Sequence, residues 1–488
     1  MSISAALQSA VSGLGANSRM LEVVSGNLAN QLTEGFAARS VTLGAPAGGI
    51  AGGVRVLSVD RAVDPELTAM RRRADGEAAR GSVLADASAA FARALGETGE
   101  PGSLINRLRA FEGALGALAN TPESAPRQEA AAAAARELAT GFNALAGETT
   151  RLREASDADI AREVEGINTA LTEVARLNRQ IQVFTATGRD ATALEDQREG
   201  QIDRIAAVLP IRETRFDDGR IELRTEQGLT LVDSSARRLE FTATPVITPQ
   251  MAYAGGSGAL SGLRLDGIDI APGSGRAQAL AEGGLAALFE VRDTTIPGFQ
   301  AQLDALAADL LARGDPGATA PTLAPGDPGL FTDAGAAFDP ANLVGLSGRI
   351  ALNAAVDPAA GGDPARLRDG LGATAPGESG NDTLLRAMVS AFAAPTDASA
   401  VPGLAGSLSL DGRIAGIMEI AATARVAREV ELGTLAGARA ALAGAEGRLR
   451  AVNEDAELAL LVRVEQAFAA NAQVIQAASR MLDELTRI

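Results

Sequence analysis

Residues Ala6–Phe36 read ALQSAVSGLGANSRMLEVVSGNLANQLTEGF. Leu7, Leu14, Leu21 and Leu28 recur every seven residues, with Val11 and Val24 in the intermediate row. Apolar residues at that spacing share one helix face, so the stretch predicts a heptad helix about 40 Å long at 1.5 Å rise per residue. The pattern gives way within SGNLANQLTEGFAARSV, Ser25–Val41. There Asn and Gly break the helix and Gly35 permits a turn. No base, metal ligand or nucleophile partner stands nearby, so the run ends a helix and carries no chemistry.

The last 38 residues, AVNEDAELALLVRVEQAFAANAQVIQAASRMLDELTRI, repeat the theme. Leu461, Val464, Phe468, Asn471, Ile475, Ala478, Leu482 and Leu485 alternate spacings of three and four, a second heptad seam. Asn453 followed by Glu454, Asp455 and Glu457 is a helix start with acid in its first turn. Asn471 occupies a core position, where it either fixes register or marks a kink or an exposed site. A lone helix with one narrow stripe is not secure. The two ends therefore pair with each other or order on neighbouring copies.

Composition excludes most chemistry. The 488 residues are 46% hydrophobic and 22% charged, which suits a globular chain of several domains. Aromatics are only 3%, so cores of Leu, Val, Ile and Ala favour helix-on-helix packing. Net charge is −17, and all 44 basic residues are Arg. That balance argues against a nucleic-acid or anionic-membrane surface. The Arg71–Arg73 run, followed by acidic residues, reads as a solvated helix face. With no Cys and no His, thiol nucleophiles, Ser-His-Asp triads and the usual zinc sites are excluded. No catalytic, cofactor-binding or metal-ligating residues are assigned, and no cofactor is expected. Residues 1–18 lack the pattern of a cleaved secretory leader, and no run of about 18 apolar residues predicts a membrane-spanning helix.

The interior is nested. TPESAPRQEAAAAAARELATGFN, from Thr121, opens with a capping residue and proline and continues through six Ala. Ile167, Leu171, Val174, Asn178 and Ile181 then share a helix face, and helix runs on to a stop at Pro210. IRETRFDDGRIELRTEQGLTLVD, from Ile211, alternates apolar and polar residues about Asp218-Gly219 and predicts a β-hairpin with a type I′ turn. Helix returns at GGLAALFEVRDTTIPGFQAQLDALAADLLARG, and again before Arg425. The expected fold is mainly α with a β-containing insert (α+β). Residues 1–60 and 450–488 form a terminal coiled-coil assembly domain, and 61–210 with 283–313 and 418–449 a helical middle domain. Residues 211–282 form a β-rich segment, and 314–417 a loop-rich or β-containing insert that includes the strand-like GRIALN.

The N-terminal stretch resembles the opening motif of the bacterial flagellar axial proteins, the rod, hook and hook-associated family. In that motif a leucine-heptad helix is followed by Ser-x-Asn-x-Ala-Asn and Thr-x-Gly-aromatic, here Ser25, Asn27, Ala29, Asn30, Thr33, Gly35 and Phe36. The C-terminal seam resembles the matching terminal helix. Interior segments, with Asp196-Gln197-Arg198 and Arg292-Asp293 as markers, resemble the hook-associated FlgK branch. The likeness covers residues 1–45, about 121–232, about 283–312 and 450–488. Departures are Arg450-Ala451 where Ser-Gly is common, Val464 and Phe468 where Tyr is common, and the absent Asn-x-x-His after the helix ending near Gly314.

The resemblance implies a non-enzymatic structural subunit at the junction of hook and filament in the flagellum, secreted by type III export with an uncleaved N-terminal signal. Its implied partners are copies of itself in a helical ring, the hook protein, the second junction protein, and a cytoplasmic export chaperone on the C-terminal helix. Neither nucleic acid nor membrane is among them. The alternatives are another axial protein (the hook subunit or second junction protein), a generic coiled-coil scaffold, or a carboxylate-dependent hydrolase using Asp217-Asp218. The last is weaker than a solvated turn at those residues.

Overall fold

Ala, Leu and Arg, all strong helix formers, are abundant in the sequence, and helices dominate the fold. A computed structural model describes residues 3–33, 35–45, 53–255, 258–315, 317 and 319–485, with Leu485 described in its backbone alone. The helices are α1 (Ile3–Asn30), α2 (Pro65–Leu95), α3 (Leu104–Ala119), α4 (Ala125–Ala186), α5 (Thr192–Val208), α6 (Gly283–Glu290), α7 (Ile296–Arg313), α8 (Arg366–Asp369), α9 (Thr383–Ala393), α10 (Leu410–Arg450) and α11 (Glu454–Leu485). The strands are short: β1 (Arg39–Gly44), β2 (Arg55–Arg61), β3 (Ile211–Arg215), β4 (Ile221–Thr225), β5 (Thr230–Val232), β6 (Leu239–Glu240), β7 (Arg264–Leu265), β8 (Ile268–Asp269), β9 (Phe331–Asp333), β10 (Ile350–Leu352), β11 (Thr396–Asp397) and β12 (Ser407–Leu408). Every pairing among the described residues is antiparallel, in the orders β1-β2, β3-β4-β5, β6-β7-β8, β9-β10 and β11-β12. The architecture is mainly α with small β elements, as the sequence predicts.

The chain divides into two compact units. The first comprises residues 1–78, 166–238 and 435–488, the second residues 79–165 and 239–434. Three of the four boundaries of the second unit's segments fall inside long helices, so α2, α4 and α10 each contribute to both, while the fourth falls at the start of β6.

In the first unit, Asn178 shows how a polar residue on an apolar helix face is used. Its side chain is buried among Leu171, Val174 and Ile181 of the same stripe. The amide nitrogen donates to the Ile221 carbonyl at 2.7 Å, and the amide oxygen accepts from the Ile221 N–H at 3.2 Å. Arg198 donates to the same oxygen at 2.9 Å and to the Gly219 carbonyl at 2.7 Å. Asn178 thus acts as a short strand toward β4 and fixes the hairpin on α4. The turn departs from expectation. The Phe216 N–H donates to the Arg220 carbonyl at 2.9 Å, so Asp217, Asp218 and Gly219 make a three-residue loop. Gly219 adopts φ +84° there, the left-handed position of such loops, where type I′ needs only two residues. A Cβ on Gly219 would stand 2.8 Å from Ile181 Cγ2, so the loop is also held against α4.

The second unit holds the aromatic core. Phe91 stacks on Phe299 at 3.9 Å, and Phe111 meets Phe331 and Phe392 edge-on at 5.6 and 5.1 Å. These rings lie among buried leucines and alanines of α3, α4, α7 and α9. Between α6 and α7, Val291–Thr295 form a π-helical turn that carries Arg292 into the interior. Its guanidinium pairs with Asp157 at 2.6 Å and Asp293 at 2.8 Å, and donates to the Ser261 carbonyl. Arg153 ties the same turn to the 248–251 loop through three carbonyls. The segment expected to be loop-rich contains loops, α8, α9 and four short strands, with GRIALN supplying β10. Buried Arg313 organises it by donating to the Ala391, Phe392 and Ala394 carbonyls at the end of α9.

Two further expectations are corrected. Helix α4 starts at Ala125, so Pro126 is the first-turn proline, while Pro122 lies in the preceding turn and its carbonyl accepts from Gln128 at 2.7 Å. The sequence predicts no helix apolar enough to cross a membrane, yet one window within Leu410–Glu484 reaches that length and composition. Little of that window is buried, so its apolar surface faces outward.

Replacing Phe111 by Ala removes the ring that packs edge-on against both Phe331 and Phe392. Equilibrium urea unfolding is expected to show a loss of about 3–5 kcal/mol in the transition of this unit.

Candidate functional site

The ends of the chain meet each other. Asn27 contacts Glu457 while Gly13 faces Asn471, so α1 and α11 run antiparallel along most of their length. The seam of α1 is not the leucine row. Gly13 and Asn27 meet α11 at Asn471 and Glu457, and Ala6, Ala10, Asn17, Met20 and Val24 share their helix face in three-four alternation. Ala10, Asn17, Val24 and Asn27 are buried. Small residues let the helices approach closely, and a Cβ on Gly13 would lie 2.7 Å from the Asn471 side-chain nitrogen. The expected stripe therefore splits. Val24 is in the seam, Leu7, Leu14 and Leu28 are half-buried beside it, and Val11 and Leu21 are 56% and 38% exposed. Bulkier leucines would hold the helices apart, which is why the smaller neighbouring row takes the contact.

On α11 the expected seam is nearly the one observed. Val464 and Ala478 are buried, and Leu461, Asn471 and Ile475 are half-buried on the same face. Ala467 replaces Phe468 at the inward position, leaving Phe468 44% exposed and Leu482 40% exposed. The Leu485 side chain lies outside the described residues. Asn453 caps α11 by accepting from the Ala456 N–H at 3.1 Å, as the sequence predicts.

The motif after the heptads lies differently from expectation. Ser25, Asn27, Ala29 and Asn30 are the last turns of α1 itself, and only Thr33, Gly35 and Phe36 follow it. Asn27 is fully buried and ties α1 to two other elements, β1 and α11. Its amide oxygen accepts from the Arg39 N–H at 2.9 Å, and its nitrogen donates to the Arg39 carbonyl at 2.8 Å and to Glu457 at 2.7 Å. Asn30 closes the helix locally, donating to the Gly26 carbonyl, while the Thr33 N–H donates to the Asn30 carbonyl. Gly35 reverses the chain at φ +79°, and Phe36 lies beneath the Arg39 guanidinium at 4.9 Å. The Ala38 N–H then reaches the Arg450 carbonyl at the end of α10 at 2.9 Å. Ser25 and Ala29 are exposed.

Behind this junction is an ionic core that sequence reasoning missed. Buried Glu199 of α5 receives Arg72 at 2.5 Å, Arg215 at 2.9 Å and Arg61 at 4.0 Å. Burial pushes its carboxyl pKa up, but Arg72, Arg215 and Arg61 outweigh that and hold it at about 2. Asp196, one α5 turn earlier, receives Arg61 at 2.6 Å and Arg39 at 2.8 Å, which clamps the β1-β2 hairpin. Arg71 pairs with Asp75 and Asp203, both at 2.6 Å, and with Glu446 of α10. Glu446 also receives Thr68 and Arg450. The Arg71–Arg73 run is thus not a solvated face: only Arg73 is, and Arg72 is buried. Burial lowers the neighbouring Arg198 to about 10. The legible signal was the wealth of acids on α5 opposite a chain whose every base is the fork-shaped Arg.

Among the described residues no acidic group is arranged to hold a metal ion. Asp217 and Asp218 are exposed, and Asp218 is held below the usual carboxylate range by its bonds to Gln182 and the Arg220 N–H. An acid catalyst needs the opposite shift.

Residues 75–314 match the family described as flagellar hook-associated protein FlgK helical domain. Residues 451–488 match the family described as flagellar basal body rod FlgEFG protein C-terminal. Flagellar hook-associated protein 1 of Bacillus subtilis is 25% identical over 240 residues, covering 46% of this chain and 47% of that protein. Its namesake in Salmonella typhimurium is 26% identical over 252 residues, covering 50% and 45%. The chain spans about half the length of the curated relatives it matches. The solved flagellar hook junction protein FlgK from Burkholderia pseudomallei superposes with a TM-score of 0.43 at 19% identity, over 54% of this chain and 46% of that one.

Two substitutions test the junction. Asn27→Ala strands the Arg39 backbone groups and Glu457, at an expected cost of about 1–3 kcal/mol for each buried group left unpaired. Hydrogen exchange should accelerate over residues 36–44, while Asn30→Ala changes only the helix end. Glu199→Gln tests the ionic core by its pH dependence. Because the folded-state pKa is depressed from the ordinary 4.5 to about 2, the carboxylate's stabilisation is present above pH 4.5 and lost as pH falls toward 2. The variant should be about 3 kcal/mol less stable at pH 7, at about 1.4 kcal/mol per pKa unit. The difference should shrink through that window in pH-resolved denaturation.

Proposed function

Because the chain belongs to the FlgK family of flagellar hook-associated proteins, we propose that it is a non-enzymatic structural subunit of the bacterial flagellum, built into the hook-filament junction through its paired terminal helices. The observation that carries this reading is the division of labour on α1. A row of small residues holds α11, and Leu7, Val11, Leu14, Leu21 and Leu28 remain as a second, incompletely covered apolar row. On α11, Phe468 and Leu482 are likewise left outward. A helical hairpin with apolar rows on its outer faces suits packing against neighbouring hairpins, copy after copy, through unlike surfaces that continue a tube.

In this reading residues 1–60 and 450–488 form the inner layer. Residues 61–210 with 283–313 and 418–449 form the helical middle domain, 211–282 the β-rich segment and 314–417 the loop-rich insert. The neighbours along the axis are the hook protein and the second junction protein. Before secretion by type III export, a cytoplasmic chaperone covers the apolar outer face of α11.

The second reading is another axial subunit, favoured by the match of residues 451–488 to the rod-type C-terminal family. One experiment separates the two. Deleting residues 451–488 in the cell is expected to abolish filaments while hooks persist and the remaining protein folds. Loss of hooks points to the hook subunit, and normal filaments defeat both readings. Leu21→Asp, which spares the α1–α11 seam, should give the same filament loss with the monomer's helicity intact by circular dichroism.

A further inference from the structure

Helix α1 carries a second row beside the one it shares with α11. Ser12, Ala16, Arg19, Val23 and Asn27 recur every three or four residues, and Ala16 and Val23 within the row are buried. The polar members of the row reach three different places. Ser12 accepts from the Val54 N–H at 3.1 Å, just before β2. Arg19 pairs with Asp190 in the turn between α4 and α5, and with Glu22 of its own helix at 2.7 Å. Asn27 holds the Arg39 backbone. These ties stand about 11 and 12 Å apart along the helix axis.

Asp190 is held ready for that arginine. Its turn is closed by the Arg189 N–H on the Phe184 carbonyl at 2.8 Å, by Gly188 at φ +67°, and by the Arg189 guanidinium over the Phe184 ring at 4.0 Å. One Asp190 oxygen caps α5, accepting from the Thr192 N–H at 2.9 Å and the Thr192 hydroxyl at 2.7 Å. The other oxygen takes Arg19. Burial pushes the carboxyl pKa up, but Thr192 and Arg19 outweigh that and hold it below the usual range. The Arg19 and Asp190 side chains are 30% and 29% exposed, so water and salt screen this pair less than one on open surface.

We propose that Arg19 and Asp190 are positioning residues, a latch that sets the direction in which the terminal hairpin leaves its base. Helix α1 is a lever. Asn27 stands near one end of it, and Ile3 lies about 36 Å away at 1.5 Å per residue. A rotation of about 10° about Asn27 would carry Ile3 through about 6 Å, more than one helical turn. The tie at Arg19 removes that freedom, because it joins α1 to the start of the same α5 whose Asp196 holds Arg39. The proposal rests on the axial-subunit reading for what the direction serves: hairpins that pack copy after copy need one common angle. The latch itself lies within one chain, so it is tested without assembly.

Asp190→Asn removes the charge and keeps the cap, since Asn caps helices as well as Asp does. The chain has no cysteine, so Gln8→Cys on α1 and Arg204→Cys on α5, both exposed, place two spin labels in the full-length protein. Double electron–electron resonance should give one narrow distance peak. In Asp190→Asn that peak should broaden by about 5 Å, the travel of residue 8 for the same rotation, with circular dichroism unchanged. Arg19→Glu, set against Asp190 and Glu22, should raise the protein concentration needed for assembly on purified hooks by about fivefold. Adding Asp190→Asn to it should recover part of that loss, because it removes the repulsion at the point of contact. A peak already broad in the parent, or one that Asp190→Asn leaves unchanged, overturns the latch, and so does Arg19→Glu without that recovery. A parent protein that shows the narrow peak but never joins hooks overturns the axial reading and leaves the latch standing.

Discussion

The Glu199 carboxylate, closed in by Arg61, Arg72 and Arg215, is the point from which the first unit is organised. Each arginine comes from a different element: the end of β2, the first turns of α2, and β3. An unpaired carboxylate at that depth would be untenable, and three guanidinium groups without it would repel one another. The elements can be assembled in this arrangement or not at all. Hydrophobic packing is less selective, since cores accept other apolar side chains of similar volume. Ionic groups buried with fixed partners permit one register.

That register passes outward to the chain ends. Asp196 holds Arg39 and Arg61, so the β1-β2 hairpin is fixed to α5. Arg39 in turn offers its backbone to Asn27, and Asn27 reaches Glu457. A continuous chain of polar contacts therefore links α5 to the crossing of α1 with α11. Glu446, receiving Thr68, Arg71 and Arg450, fixes the end of α10 just before α11 begins. The paired helices project from a base that is specified from both sides.

How much of this was legible depended on whether the signal was local. Helix existence, the hairpin at Asp218-Gly219 and the cap at Asn453 follow from periodicity and turn chemistry within a few residues, and the sequence carries them. The choice between adjacent rows on α1 does not. Leu7, Leu14, Leu21 and Leu28 are the stronger heptad by hydrophobicity, yet Ala10, Gly13 and Asn17 win the contact because closeness outweighs bulk when the partner presents Asn471 opposite a glycine. The Arg71–Arg73 run was misleading for the same reason. Besides the local Asp75 and Glu77, its partners are Glu199, Asp203, Glu213 and Glu446, well over a hundred residues away in the chain. Three-residue charge patterns report on the helix surface only when nothing distant claims them.

The two units solve the same problem with different physics. The second is closed by rings and leucines, with Arg292, Arg313 and Asp304 each satisfied by carbonyls, N–H groups or counter-charges around them. The first relies on a lattice of arginine and carboxylate, and its helices keep apolar rows outside. Beside that lattice, Leu177, Ile181, Ile202, Ile205, Leu223 and Val232 are fully buried, so the unit's own apolar core does not draw on the chain ends. That leaves the leucines of α1 and the exposed apolar side chains of α11 unspent within the chain. In a subunit whose ends pack against other copies, placing specificity in the ionic base and apolar surface on the projecting hairpin keeps folding and association from competing for the same side chains.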